Sequence, residues 1–457
     1  MKKYLILTKN HFIFTAVSRT LPAILRIENM RPLFIISLFL LLFACTGKEG
    51  ETLKIEDLAA LADGWEGEVI GISTESYVGW DVEIGDADND GYNEILTTGC
   101  PSSSLNMFQR INGKWENILL AENLARTFPG MGLAVKITDL DLDGSNEIIL
   151  GTGQEGASTA IFYTFRLVDH HLATLCESRP AFNQSAFTHN LAPYDIDGDG
   201  LLEVISAYCG HGEIIRYDHE VGLGEVRARK IHQLSGSGEE SLIADVDNDG
   251  HVEYITSNGF RKEDAKVEIF EFGEDGELML PPRLIIEGYD GKRCFYASVM
   301  VGDVDNDGRN EMMIGWKQDQ EINEGTILGY SVGKRIEKEY TFAYEDKDLD
   351  LSYFEKMMVV ADADNDGLNE LVVSTRGDNL SELIDSKHLG HMFMWTVSNE
   401  GIERELLVNL NEDVAGSSWI DVGDADNDGL NEIILATGKG DRTKKGLSYV
   451  LLVKKKG

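Results

Sequence analysis

Positive charge is scarce in this chain. Its 457 residues hold 41 lysines and arginines against 79 aspartates and glutamates, a formal net charge of −38. A nucleic-acid backbone needs a basic face to neutralise its phosphates, so that class of partner is excluded. Cysteine is scarce too, with five residues and no CxxC pair, so neither a zinc site nor a thioredoxin-like centre is indicated. GxSxG and HExxH are both missing, and no nucleophile–base pair is legible. Carboxylates are so numerous that a glycosidase-like pair can be picked anywhere, which makes any such choice uninformative. The apolar run at residues 33–44 (LFIISLFLLLFA) has twelve residues, too few to cross a bilayer. One glycine-rich match, GTGQEG at 151–156, is followed by a strand-like segment; a dinucleotide site needs a helix there.

What the chain has in excess is aspartate at alternate positions. Residues 424–432 read DADNDGLNE, with Asp424, Asp426, Asp428 and Glu432 at positions 1, 3, 5 and 9 of a tight turn. A hard divalent cation takes six to eight oxygens around one centre, and this spacing supplies most of them. Glycine at position 6 allows the sharp bend, and the carbonyl of Leu430 at position 7 points inward. The same pattern occurs with Asp86, Asp88, Asp90, Tyr92 and Glu94, and again with Asp139, Asp141, Asp143, Ser145 and Glu147. It returns with Asp195, Asp197, Asp199, Leu201 and Glu203, and with Asp245, Asp247, Asp249, His251 and Glu253. The remaining two copies are Asp303, Asp305, Asp307, Arg309 and Glu311, then Asp362, Asp364, Asp366, Leu368 and Glu370. A flexible oxygen cage of this size suits seven-fold coordination, so the expected cofactor is Ca²⁺, up to seven ions in a structural role. The seven turns carry 28 of the 79 acidic residues, and seven Ca²⁺ would bring the formal charge from −38 to −24. Position 4 is Asn in five copies and Gly198 in another, residues that accept a left-handed backbone. Leu142 does so poorly, so the second turn is expected to be the weakest.

The first aspartates of successive turns are 53, 56, 50, 58, 59 and 62 residues apart, which marks an array of supersecondary units. Each unit reads as a strand into the turn, a strand out of it, an aromatic-rich third strand and a closing fourth. No unit needs a helix, which excludes EF-hands. Seven four-stranded antiparallel units, each too small to bury its own faces, predict an all-β, seven-bladed β-propeller over residues 65–457. The seventh unit runs out of chain before its fourth strand. Residues 68–72 are therefore expected to pair antiparallel with 447–453 and close the ring, because an open array would expose a strand edge.

The repeats resemble FG-GAP/VCBS repeats, the units of integrin α N-terminal propellers and of many bacterial surface proteins. The first unit is the most similar: Val78-Gly79, the turn from Asp86, then Gly99-Cys100-Pro101 where the family has Gly-Ala-Pro. The resemblance implies that the acidic turns lie on one rim, joining the innermost strand of each blade to the second, and that ligands are held at the opposite rim. Candidate residues there are Arg126, Phe128, Arg179, Phe187, His189, Arg293, Trp316, Tyr353 and Arg376, a mix of aromatics and cations suited to sugars or anionic groups.

Ahead of the repeats, residues 1–44 are expected to be a signal region, with Met30-Arg31 as an alternative start. Leu42-Phe43-Ala44-Cys45 resembles the lipobox of bacterial lipoproteins, which implies a lipid on Cys45 and attachment to a membrane through that anchor alone. Residues 45–64 are expected to be a tether, with a short amphipathic piece at 55–62. An exported location permits a Cys176–Cys209 disulfide, and buried thiols are the alternative. The function expected is that of an exported binding or adhesion module for a glycan or protein. The alternatives are a calcium-dependent polysaccharide lyase-like enzyme and a structural scaffold of the cell envelope.

Overall fold

The computed structural model describes residues 53–457 except 76, 154–159, 180–186, 220–221, 259–264, 318–324, 347, 350–356, 376–389, 412–413, 415–416 and 439–445. The expected signal region and Cys45 lie outside the described residues.

Second strands are almost wholly apolar or small, as in Glu94–Cys100, Glu147–Gly153 and Glu432–Gly438, and every residue in these three is buried. Outer strands such as Lys114–Ala121 alternate partly buried with exposed residues, as a strand with one wet face does. These strands assemble into seven antiparallel sheets. Blade 1 is Tyr77–Gly85, Glu94–Cys100, Leu105–Ile111 and Lys114–Ala121, and blade 2 is Met131–Thr138, Glu147–Gly153, Phe162–Val168 and His171–Ser178. Blade 3 is Ala192–Tyr194, Glu203–Cys209, Glu213–Asp218 and Arg227–Gln233, with Phe187–Thr188 pairing the far end of its second strand. Blade 4 is Leu242–Ala244, Glu253–Asn258, Lys266–Glu271 and Leu284–Glu287, and blade 5 is Tyr296–Gly302, Glu311–Lys317, Gly325–Val332 and Ile336–Asp346. Blade 6 is Met358–Ala361, Glu370–Ser374, His391–Ser398 and Gly401–Leu410. Blade 7 is Ser417–Gly423, Glu432–Gly438 and Ser448–Lys455, completed by Trp65–Ser73 from the other end of the chain. The first strand of blade 7 packs against that of blade 1, and that of blade 1 against blade 2, so the array closes on itself. The fold is a seven-bladed β-propeller.

The closing strand pairs as the strand count demanded, antiparallel and from Trp65 opposite Lys455 to Ser73 opposite Ser448. Its register slips between Val69 and Gly71. A Cβ on Gly71 would lie 2.0 Å from the Phe108 ring of blade 1, so only glycine lets this strand seat there.

The core is partitioned into seams. Each of the seven hydrophobic clusters joins two neighbouring blades. Among the described residues, six of the clusters hold 11 to 17 buried side chains; the seam between blades 3 and 4 holds six.

The segment expected as a tether belongs in part to the domain. Ile55–Asp57 forms a 3-10 turn, and Ala59–Leu61 pairs with Gly401–Leu410 as a fifth strand of blade 6. Ile55, Leu58 and Ala59 are buried with Leu407, Val408 and Leu410. An amphipathic segment beside an unpaired outer strand buries its apolar face there instead of standing in water. The possible Cys176–Cys209 disulfide does not form; Cys100, Cys176, Cys209 and Cys294 are all buried thiols outside any disulfide.

One deletion and one substitution separate these roles. Removing residues 65–73 strips blade 7 of its outer strand and should abolish the single cooperative melting transition. Leu58→Ala, at a side chain only 4 % exposed, should cost about 2–5 kcal/mol in urea unfolding. A tether would lose nothing, so an unchanged midpoint would refute the docking of this segment.

Candidate functional site

The seven acidic turns fold alike because each uses its own side chains to hold its backbone. The position 1 aspartate accepts from the amide of the position 6 glycine, at 2.8–3.2 Å in every copy from Asp86–Gly91 to Asp424–Gly429. The position 5 aspartate accepts from the amide of position 7, at 2.8–3.0 Å for Tyr92, Ser145, Leu201, His251, Arg309, Leu368 and Leu430. Position 7 thus serves through its backbone, and Tyr92, Leu368 and Leu430 leave their side chains exposed. The glycines at position 6 have φ near +90°, a conformation closed to L side chains.

The position 9 glutamate closes the turn from below. One of its oxygens accepts from the amide of position 2, at 2.9–3.2 Å in all seven copies. Glu94, Glu147, Glu203, Glu253, Glu311, Glu370 and Glu432 are all buried, each behind three aspartates of its own turn. A buried anion beside like charges is unfavourable unless a cation or a proton offsets it. Burial and the neighbouring aspartates push Glu94 up to about 8. The same causes push Glu253, Glu311, Glu370 and Glu432 up to about 7. The turns fit a hard divalent cation. The carboxylates converge, and Asp362 Oδ1, Asp424 Oδ1, Asp426 Oδ1 and Glu432 Oε1 are buried without a hydrogen-bond partner.

Basic side chains missed in the sequence reach some of these turns. Arg166 pairs with Glu147, and Arg216 lies 3.5 Å from Asp197 and 3.4 Å from Glu203. Arg283 pairs with Asp247, and Lys454 is 3.1 Å from Asp426 and 3.2 Å from Asp428. Arg110 of blade 1 pairs with Asp426 of blade 7. Each comes from a segment outside the turn it serves, so no local pattern announces it. Leu142 has φ +52°, the left-handed conformation anticipated from its place in the turn.

The turns are also joined to one another. Asn365, at position 4 of the sixth turn, donates to the carbonyl of Asn431 at 3.0 Å and accepts from its amide at 2.7 Å. Asn431 in turn donates to the carbonyl of Asp362 at 2.8 Å. The same bracket joins Asn89 with Asn146, Asn248 with Asn310, Asn306 with Asn369, and Asn427 with Asn93. It is missing where position 4 is Leu142 or Gly198, and there the eighth residue of the next turn is Leu202 or Val252. This pairing of positions 4 and 8 was legible in the repeats and is a signal the reading missed.

On the opposite rim two of the expected residues come together. Arg126 and Arg179 both pair with Glu177, and Phe128, two residues from Arg126, is 61 % exposed. Arg293 is exposed in the turn before blade 5. Beside it the Lys292 ammonium lies 5.3 Å from the ring centres of both Tyr289 and Tyr344, an aromatic–cation cluster whose tyrosines the sequence did not single out. Two of the expected rim residues are corrected. Trp316 is 0 % exposed inside Glu311–Lys317, and His189 is buried at the seam of blades 3 and 4, so neither is a free rim residue. Phe187 lies in the short strand Phe187–Thr188, and nothing is described of its side chain; Tyr353 and Arg376 lie outside the described residues.

No family model matches the chain, and no curated protein matches it by sequence. Among solved structures it is similar to BBS1N, from the crystal structure of BBS1N in complex with ARL6DN soaked with lead. The identity is 12%, the TM-score 0.46, and the match covers 86% of this chain and 96% of that one. At that score the likeness adds nothing to the topology described above.

Two outcomes follow from the turns. Asn365→Gly keeps the backbone conformation but strands two backbone groups of Asn431, and should cost about 1–3 kcal/mol in urea unfolding. In chelator, stability should fall as pH rises from 5 to 8. Glutamates that titrate near 4.5 when unfolded do so near 7 to 8 when folded, so their favourable protonated form is lost across that window. A melting temperature rising with pH in chelator would contradict the buried position of these groups.

Proposed function

We propose that this protein is an exported, lipid-anchored member of the FG-GAP/VCBS type whose acidic turns take Ca²⁺ and whose opposite rim binds a glycan or a protein. The observation that carries the calcium reading is the buried position 9 glutamate, repeated in all seven turns behind three aspartates. Ca²⁺ suits these turns better than Mg²⁺ because their mix of carboxylates and one carbonyl is an irregular oxygen cage, not an octahedron. The metal clamps the first two strands of each blade and offsets the charge that opposes folding.

The rim reading rests on aromatic faces beside cations. Tyr344, 43 % exposed, with the Lys292 ammonium 5.3 Å from its ring centre is one such surface, Tyr289 being buried; the exposed Phe128, two residues from Arg126, is another. Such surfaces stack against sugar rings and attract anionic substituents.

The full chain should bind members of a glycan array in millimolar Ca²⁺ and lose that binding in Tyr344→Ala and Lys292→Ala at unchanged melting temperature. Chelator should lower the melting temperature by many degrees, since stabilisation grows as RT ln(1 + [L]/Kd) at each site. A melting temperature indifferent to chelator would overturn the calcium reading. Cleavage of an acidic polysaccharide in the same assay would replace the binding module with the enzyme.

A further inference from the structure

The seam between blades 3 and 4 has the smallest apolar cluster among the described residues, six buried side chains, and like the seam between blades 2 and 3 it lacks the asparagine bracket. Its end opposite the acidic turns is built from polar groups instead. Ala207 of blade 3 donates to Ser241 Oγ at 2.7 Å, and Asn190 donates to Glu240 at 3.3 Å. Gly238 donates to the carbonyl of Tyr208 at 3.1 Å.

Within this end lie His189, just ahead of Ala192–Tyr194; Cys209, the last residue of Glu203–Cys209; and Glu239, just ahead of Leu242–Ala244. All three side chains are buried, and their ligand atoms lie within 4.8 Å of one another. Cys209 Sγ is 3.6 Å from Glu239 Oε1, and His189 Nε2 is 3.9 Å from Glu239 Oε2. We infer that His189, Cys209 and Glu239 form a transition-metal site, of a kind suited to Zn²⁺, that cross-links blades 3 and 4.

Ligand chemistry separates this site from the acidic turns. Ca²⁺ takes oxygen ligands only, whereas a thiolate, an imidazole and one carboxylate are the set that borderline-soft Zn²⁺ prefers. Tetrahedral Zn²⁺ places such donor atoms roughly 3.3–3.6 Å apart, so the Cys209 sulfur already fits Glu239 Oε1, while the imidazole, which faces the other oxygen, has to move to share the ion. Binding expels the Cys209 thiol proton to solvent and leaves neutral imidazole, thiolate and carboxylate, whose two negative charges cancel the ion's. Ser237 supports the sulfur: its hydroxyl is 3.2 Å from Cys209 Sγ and accepts from the Gly210 amide at 2.8 Å. Nucleophilic catalysis does not suit the same residues, because the cysteine faces the carboxylate and the group is sealed from solvent. Sequence reasoning set zinc aside for want of a CxxC pair; here the ligands come from three separate segments.

The test uses the full chain, kept in Ca²⁺ so that the acidic turns are filled, and loaded with Zn²⁺ or Co²⁺ alone as the probe. After dialysis, elemental analysis should find one zinc per chain, lost in His189→Ala and in Cys209→Ser. Co²⁺-loaded protein should show a near-ultraviolet thiolate-to-cobalt charge-transfer band that disappears in Cys209→Ser, with Cys100, Cys176 and Cys294 still present. Carboxylate turns cannot produce that band. Wild-type protein without the band, or a band persisting in Cys209→Ser, overturns the proposal even where a variant folds poorly.

Discussion

Everything on one face of this propeller depends on how a buried carboxylate is neutralised. The position 9 glutamate is fixed by an amide of its own turn and cannot swing out to water, while three aspartates crowd it from above. Arginine or lysine from a neighbouring strand supplies part of the balance in blades 2, 3, 4 and 7. For Glu94, Glu311 and Glu370 the dominant influences are burial and the adjacent aspartates. The turns are thus alike in backbone and unlike in electrostatics, and any cation they take meets different competition in different blades.

The same face carries the asparagine brackets, so charge and mechanical continuity are arranged together. Each bracket fixes the position of one turn relative to the next, and each turn fixes two strands of its blade. Where the bracket is missing between blades 2 and 3, a backbone bond from Leu202 to the carbonyl of Leu140 at 2.8 Å takes its place. Between blades 3 and 4 the polar join has moved to the other end of the strands, around Ser241, Glu240 and Glu239. Blade-to-blade adhesion is therefore a sum of unequal seams, as expected for repeats that contact only their neighbours.

The blade count and the closing strand were legible because they depend on local spacing and on counting: seven turns, and a last unit one strand short. Burial was less legible. Trp316 and His189 look like loop residues in isolation, and their concealment depends on packing partners far away in sequence. The segment at 55–62 showed its amphipathic character plainly, but its partner strand Gly401–Leu410 lies at the other end of the chain. The cations on the acidic turns were hidden for the same reason, since Arg110 of blade 1 serves a turn of blade 7.

The pairing of Trp65–Ser73 with Ser448–Lys455 has a consequence for how the molecule comes into being. A ribosome delivers the second of these strands only after the six blades that lie between them in the chain. Until then the incomplete ring has two open edges, and the early strand has no partner to occupy it. Contacts this distant in sequence form slowly, and exposed edges invite association with other chains. Premature termination a few residues before Ser448 would leave every other blade intact and still yield a chain that cannot close. Closure of the ring therefore reports that the strand Ser448–Lys455 has been made.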